Sequence, residues 1–234
     1  MFYITGDTHG DFTRIEDFCD EYGTTKADTI IILGDAGINY HLNERDNQLK
    51  EKLAKLPITL FCIHGNHEER PYLIDSYDEK MWNEGLVYYE KQYPNILFAS
   101  DGEIYNFEGN KVIAIGGAYS VDKNYRIRGN MPWFESEQPD ERTKEFIEHK
   151  LEQANWKVDF VLSHTGPLKY VPEDEFLPMI DQSGVDQSTE EWLDFIEDKL
   201  DYELWYFGHF HCDRMADQTI ILFEDIIDLV DASF

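Results

Sequence analysis

Five times along this chain a short, apolar, β-branched run is cut off by a polar cluster, and that repetition constrains the fold more than any other feature. Phe2–Thr5 gives way to Gly6-Asp7-Thr8-His9, Thr29–Leu33 to Gly34-Asp35, and Ile58–Ile63 to His64-Gly65-Asn66-His67. Phe160–Leu162 stops at Ser163-His164, and Leu204–Phe207 at Gly208-His209-Phe210-His211. Continuous apolar runs bounded by glycine read as strands covered on both faces. A chain with five of them needs helices or a second sheet on each side.

The segments between supply those layers. Phe12, Ile15, Phe18 and Cys19 share one face of a helix opening after Asp11, a suitable N-cap. Further helices are predicted over Glu44–Leu56, stopped by Pro57, over Glu141–Gln153, and over Thr189–Leu200 with Thr189 as its cap. Short strands are predicted at Leu86–Tyr89, Asn95–Ala99, Glu103–Phe107 and Lys111–Ile115, with a turn at Glu108-Gly109-Asn110. Thr219–Phe223 can pair back onto Arg214–Ala216. The expected fold is α/β, with two sheets packed together and helices outside. No repeat, low-complexity tract or linker divides the chain, so residues 1–234 read as one domain.

Composition narrows the partners. Asp and Glu number 48 against 20 Lys and Arg, a formal charge of −28, yet 42% of residues are hydrophobic and 15% aromatic, which marks a globular chain. An extended nucleic-acid groove needs clustered cations, and an anionic membrane attracts them, so both are disfavoured. Cys19, Cys62 and Cys212 show no CxxC spacing and read as reduced thiols. With no signal peptide or membrane-length apolar run, the expected location is cytoplasmic.

The strand ends carry the chemistry. In α/β folds ligands gather beyond the carboxyl ends of strands, and here those ends offer Asp7, His9, Asp35, Asn66, His164, His209 and His211. In Asp7-x-His9 and His209-x-His211, residues two apart point to the same side and can reach one ion. Imidazole, carboxylate and amide ligands without thiolate suit a catalytic first-row ion. Seven ligands are too many for one ion with an open position. Two ions sharing a carboxylate account for them, with Mn²⁺ the first expectation and Fe or Zn²⁺ the alternatives.

Asp7-x-His9, Gly34-Asp35, Gly65-Asn66-His67-Glu68, His164 and Gly208-His209-x-His211 resemble, in order, the five signature blocks of calcineurin-like metallophosphoesterases, across residues 6 to 211. The resemblance implies a four-layer αββα sandwich of two mixed β-sheets packed face to face. It implies that Asp7, His9, Asp35 and His211 hold one ion and that Asp35, Asn66, His164 and His209 hold the other. It makes His67 a catalytic residue at the leaving oxygen rather than a ligand. The implied activity is hydrolysis of a small phosphomonoester or phosphodiester by in-line attack of a metal-bridging hydroxide. Phosphoprotein phosphatases carry Asp-Arg-Gly where Ile38-Asn39-Tyr40 stand here, so the aspartate that would pair with the catalytic histidine is missing. A Ser/Thr protein phosphatase is therefore disfavoured against smaller prokaryotic-type phosphoesterases. A nucleic-acid end-processing nuclease or phosphatase, and a non-catalytic interaction module, are the remaining alternatives.

Residues 116–139 form the expected substrate-facing insert, long for a loop and rich in aromatics. Arg126 and Arg128 within it, and Arg70 after the third block, are candidate clamps for phosphate oxygens, with Tyr119 a further substrate contact. His64 is expected to support the site and His41 to face solvent. Glu68 is expected to cap or orient its neighbours. Monoester against diester preference and oligomeric state are left open by the residues.

Overall fold

Side chains along the buried strands divide by parity between two cores, and that division builds the layers. In the computed structural model, which describes residues 1–176 and 183–231, the chain runs β1 (Phe2–Thr5), α1 (Thr13–Tyr22), β2 (Thr29–Ile32), α2 (Glu44–Leu53), β3 (Thr59–Cys62), β4 (Asp78–Trp82), β5 (Gly85–Tyr89), β6 (Ile96–Ala99), β7 (Ile104–Phe107) and β8 (Asn110–Ile115). It continues through α3 (Lys123–Arg128), α4 (Glu141–Gln153), β9 (Phe160–Ser163), α5 (Ser188–Glu197), β10 (Leu204–Phe207), β11 (Arg214–Ala216), β12 (Thr219–Ile221) and β13 (Ile227–Asp228). One sheet has the order β13-β1-β2-β3-β6-β5-β4 and the other β11-β12-β10-β9-β8-β7. Both are mixed: β1, β2, β3 and β6 run parallel, as do β8, β9, β10 and β12, with antiparallel strands at the margins.

Ile4, Ile31, Phe61, Phe160, Leu162 and Tyr206 meet in the core between the sheets. Their strand neighbours Ile30, Ile32, Leu60 and Cys62 turn outward onto Phe12, Ile15 and Leu53 of the first helical layer. On the far side Val161, Trp205 and Phe207 pack on Ile147 and Leu151 of α4 and on Leu193 and Ile196 of α5. The result is the expected four-layer αββα sandwich. Period-two alternation with both faces apolar is why each strand read as an uninterrupted hydrophobic run. Among the described residues no helix is long and apolar enough to cross a membrane.

Boundaries differ from the sequence reading for local reasons. The helix after Asp11 starts at Thr13, where the Asp11 carboxylate accepts from the backbone N–H and hydroxyl of Thr13. α2 ends at Leu53, before its expected end at Leu56. The last helix begins one residue before Thr189, and Thr189 donates to Gln138 instead of capping. Strand β4 has no apolar run to mark it in the sequence, because Asp-Glu-Lys-Met-Trp is polar and, among the described residues, pairs only with β5 at the sheet edge. The expected loop at 116–139 contains the six-residue helix α3.

α2 is fastened to the sheet by a buried ion pair, Lys50 Nζ to Glu90 Oε2 at 2.6 Å, with each side chain 5% exposed. Removing one partner strands the other charge out of water. Glu90→Gln is therefore expected to cost about 3–5 kcal/mol in denaturant unfolding, and Lys50→Met/Glu90→Leu to recover most of that loss.

Candidate metal centre

Strand ends from both sheets converge at one rim of the sandwich. β1, β2 and β3 deliver Asp7, Asp35 and Asn66, while β9 and β10 deliver His164 and His209. His9, Asp35, His209 and His211 all sit at positive φ, between 47° and 66°. Left-handed backbone is costly for residues with a β-carbon, and its concentration here re-aims side chains that a continuing strand would send elsewhere. Two glycines make the approach possible. A β-carbon on Gly34 would lie 2.1 Å from His164 Nδ1, and one on Gly65 2.0 Å from Asp35 Oδ1.

The seven predicted ligands are brought together. His211 Nε2 lies 3.4 Å and His9 Nε2 3.7 Å from Asp7 Oδ2, and the two imidazole nitrogens face each other at 2.9 Å. Asp35 stands between the two halves: Oδ2 is 3.9 Å from His9 Nδ1 and Oδ1 is 3.7 Å from His164 Nε2. His164 Nε2 is 2.7 Å from Asn66 Oδ1, and the His164 and His209 rings are 5.0 Å apart. Supporting bonds orient the set. Asn66 Nδ2 donates to Ser120 Oγ, leaving its oxygen for the centre. The Leu33 carbonyl lies 2.7 Å from His164 Nδ1; it can only accept, so the proton sits on Nδ1 and the lone pair on Nε2.

This donor set fits divalent cations. Asp7 Oδ2 is buried and has no hydrogen-bond partner among the described residues, although two imidazole nitrogens crowd it. Facing lone pairs on His9 and His211 are satisfied by a proton or by a cation between them. Nitrogen and oxygen donors alone, arranged around a carboxylate with both oxygens in use, suit first-row ions.

His67 stands beside the ligands, close enough to join His9 and Asp35 around one ion with donor atoms within 4.8 Å of one another. Its Nδ1 is 3.8 Å from Asp35 Oδ2, but it is in short contact with Nη2 of Arg126. Guanidinium only donates, so Nδ1 holds a lone pair and the neutral ring carries its proton on Nε2. Nε2 faces Asp122 Oδ1 at 3.8 Å, and Asp122 Oδ2 accepts from Arg126 Nε at 2.8 Å. Burial, and then the Arg126 charge, lower the His67 pKa to about 3. His209 is also lowered to about 3, by burial and by His164. Burial works against the Asp7 carboxylate, yet contact with His211 and the charges of His164, His211 and His9 hold it below its ordinary range. Glu68, wholly buried, accepts from the Gly65 N–H as an orienting group, and burial followed by the Asp35 charge raises its pKa to about 8.

The predicted substrate contacts separate. Arg126 is at the centre, bonded to His67, Asp122 and the Pro132 carbonyl. Arg70 is committed elsewhere, to Asp101 and the Ser136 carbonyl, and lines a separate cavity of about 300 Å³ with Arg142 and Phe146. Arg128 is exposed and makes no contact with the site among the described residues. Tyr119 lies at the margin, lining a small cavity with His209 and Phe210. Neither Asp122 nor Ser120 stands out in the sequence: each is a common polar residue inside the insert, and only the fold carries it to His67 or Asn66. His64 is buried beside the third block and neither ring nitrogen has a partner among the described residues.

The sequence profile of calcineurin-like phosphoesterases matches residues 1–213, and the chain belongs to that family of metal-dependent hydrolases of phosphate esters. No curated protein matches it by sequence. Two solved structures share the fold at a TM-score of 0.51 and 13% identity. One is TT1561 of Thermus thermophilus, covering 95% of this chain and 87% of its own; the other covers 94% and 88%. The phosphopantetheinyl hydrolase PptH of Mycobacterium tuberculosis aligns at a TM-score of 0.47 and 12% identity, over 94% and 86%.

Below about pH 6.5 an unfolded chain protonates histidines that the folded chain keeps neutral, so His67 and His209 contribute stability above that pH and lose it as pH falls toward 3. In metal-free protein their ring C2–H resonances are expected to keep neutral-form shifts from pH 8 to 5. Titration of either near 6.5 would contradict the burial and Arg126 argument.

Proposed function

We propose that the chain is a binuclear metallophosphoesterase acting on a small phosphomonoester or phosphodiester, with Mn²⁺ as the preferred ion. The observation that carries this is the orphaned Asp7 oxygen facing two imidazole nitrogens, joined through Asp35 to the His164–Asn66 pair. Asp7, His9, Asp35 and His211 would hold one ion, and Asp35, Asn66, His164 and His209 the other. When bound, such ions polarise a phosphoryl group and acidify water near neutral pH.

The chain's own groups do the rest. Two ligand carboxylates against two divalent charges leave the site positive toward an anion despite the molecule's −28. Arg126, next to His67, presents positive charge to a phosphate oxygen. His67 offers a proton on Nε2 to the leaving oxygen. Because Arg126 and burial keep the ring neutral in the free protein, a protonated His67 at neutral pH needs both the negative charge that a bound phosphate brings and release of Nδ1 from Arg126. Asp122, close to Nε2, favours that protonated ring.

Equilibrium dialysis against Mn²⁺ is expected to give about two ions per chain, and Asp35→Asn to reduce binding and abolish hydrolysis of p-nitrophenyl and bis-p-nitrophenyl phosphate. Chelation should stop turnover and Mn²⁺ restore it. Full activity with a single ion would contradict the assignment of Asn66, His164 and His209.

His67→Ala separates proton donor from ligand. It is expected to keep both ions and lose turnover of an alkyl ester by about 10²–10⁴, with a smaller loss on p-nitrophenyl phosphate, whose leaving group scarcely needs a proton. Equal losses accompanied by lost metal would make His67 a ligand.

A further inference from the structure

His67 lines a cavity of about 470 Å³ that extends past the metal centre to α2. If His67 serves the leaving oxygen, as the proposed function has it, the leaving group occupies this cavity. Its walls therefore report what the leaving group looks like.

Three features of the wall matter. Tyr40 and His41 stand edge to face with ring centroids 4.7 Å apart, and the Arg126 guanidinium lies 5.6 Å from the Tyr40 ring centre. A group of ring size can lie against them. Arg126 has little left to offer a distant part of the substrate, because its nitrogens already meet Asp122, Pro132 and His67. Arg45, on α2, is the other guanidinium in the cavity.

Arg45 is exposed, and its side chain has no hydrogen bond, ion pair or ring partner among the described residues. Lys55, Lys111, Arg128 and Arg142 likewise have no such side-chain partner among the described residues, but none of them lines this cavity. Elsewhere Lys50, Arg70, Lys150, Lys169 and Arg214 each meet a carboxylate. Asp46, the neighbouring acid that also lines the cavity, is buried and accepts from the backbone N–H groups of His41 and Leu42. An unpaired cation in the cavity that takes the leaving group selects for an anion.

We infer that the cavity beside His67 recognises a leaving group bearing a second anionic group, a carboxylate or a phosphate, which Arg45 binds. This reading rests on the proposed phosphoesterase activity and adds the substrate class. A planar guanidinium can meet either oxyanion through two parallel hydrogen bonds.

The test compares phenyl phosphate with 4-carboxyphenyl phosphate and 1,4-phenylene bisphosphate, using the Mn²⁺-loaded protein. The two anionic substrates are expected to show kcat/KM about tenfold or more above phenyl phosphate, chiefly through KM, as one charge-assisted contact allows. The larger gain of the two identifies carboxylate or phosphate as the preferred group. Arg45→Met is expected to bring the ratio of kcat/KM values toward one, while Arg45→Lys retains part of it. Raising salt to about 0.5 M should shrink the wild-type preference, since an exposed charge is screened. Equal kcat/KM for all three substrates in the wild type, or an undiminished preference in Arg45→Met, would overturn the inference and leave the phosphoesterase reading intact. If none of the three is hydrolysed and bis-p-nitrophenyl phosphate is not hydrolysed either, the phosphoesterase reading fails. Calorimetric titration of the same compounds then decides the inference by itself: it requires tighter binding of the anionic pair in wild type and loss of that difference in Arg45→Met.

Discussion

Asp7 and Asp35 lie almost wholly out of water where the two sheets meet, with 1% and 2% of their surfaces exposed. Carboxylates so placed are unfavourable unless positive charge or donors surround them. Backbone N–H groups supply part of the answer: His209 donates to Asp7 Oδ1, and His67 donates to Asp35 Oδ1. The remaining oxygens are left to imidazoles and to whatever cation they hold between them. Much around the rim follows from this need, including the left-handed residues that aim the rings and the glycines that let one strand end press on another.

The bond from the His164 ring to the Leu33 carbonyl shows how tightly fold and chemistry are joined. Leu33 extends the strand β2 of one sheet, and His164 follows β9 of the other. That contact fixes a tautomer only when the sheets stand at their proper separation, which the interdigitated Ile31, Phe61, Leu162 and Tyr206 set. Packing deep in the sandwich thus decides which nitrogen of His164 is free.

What could be read from the sequence was whatever depends on local chain chemistry. A buried strand must be apolar and must end, so Asp7, Asp35, Asn66, His164 and His209 announced themselves as the polar residues at those ends. Other features depend on distant partners and were not visible. Arg70 carried no sign that Asp101, 31 residues away, would claim it. Asp122 occupies no motif position, yet the fold brings its carboxylate to 3.8 Å from His67 Nε2. The short helix bearing Arg126 exposes Tyr125 and Ile127 at 71% and 51%, so no apolar stripe signalled it. β4 escaped for a related reason: an edge strand with polar side chains has no buried run to display.

β13 pairs antiparallel with β1, placing Ile227 beside Ile4, and the Leu229 N–H donates to the Phe2 carbonyl. The strand that ends in Asp7 therefore has its outer margin closed by a segment more than two hundred positions further along. During synthesis β1 leaves the ribosome long before that partner exists. Until then one side of it is an open row of backbone donors and acceptors, the kind of edge to which other strands adhere. The charges that make Asp7 useful in the finished protein also border that edge in the nascent one, where they discourage a passing apolar strand from settling.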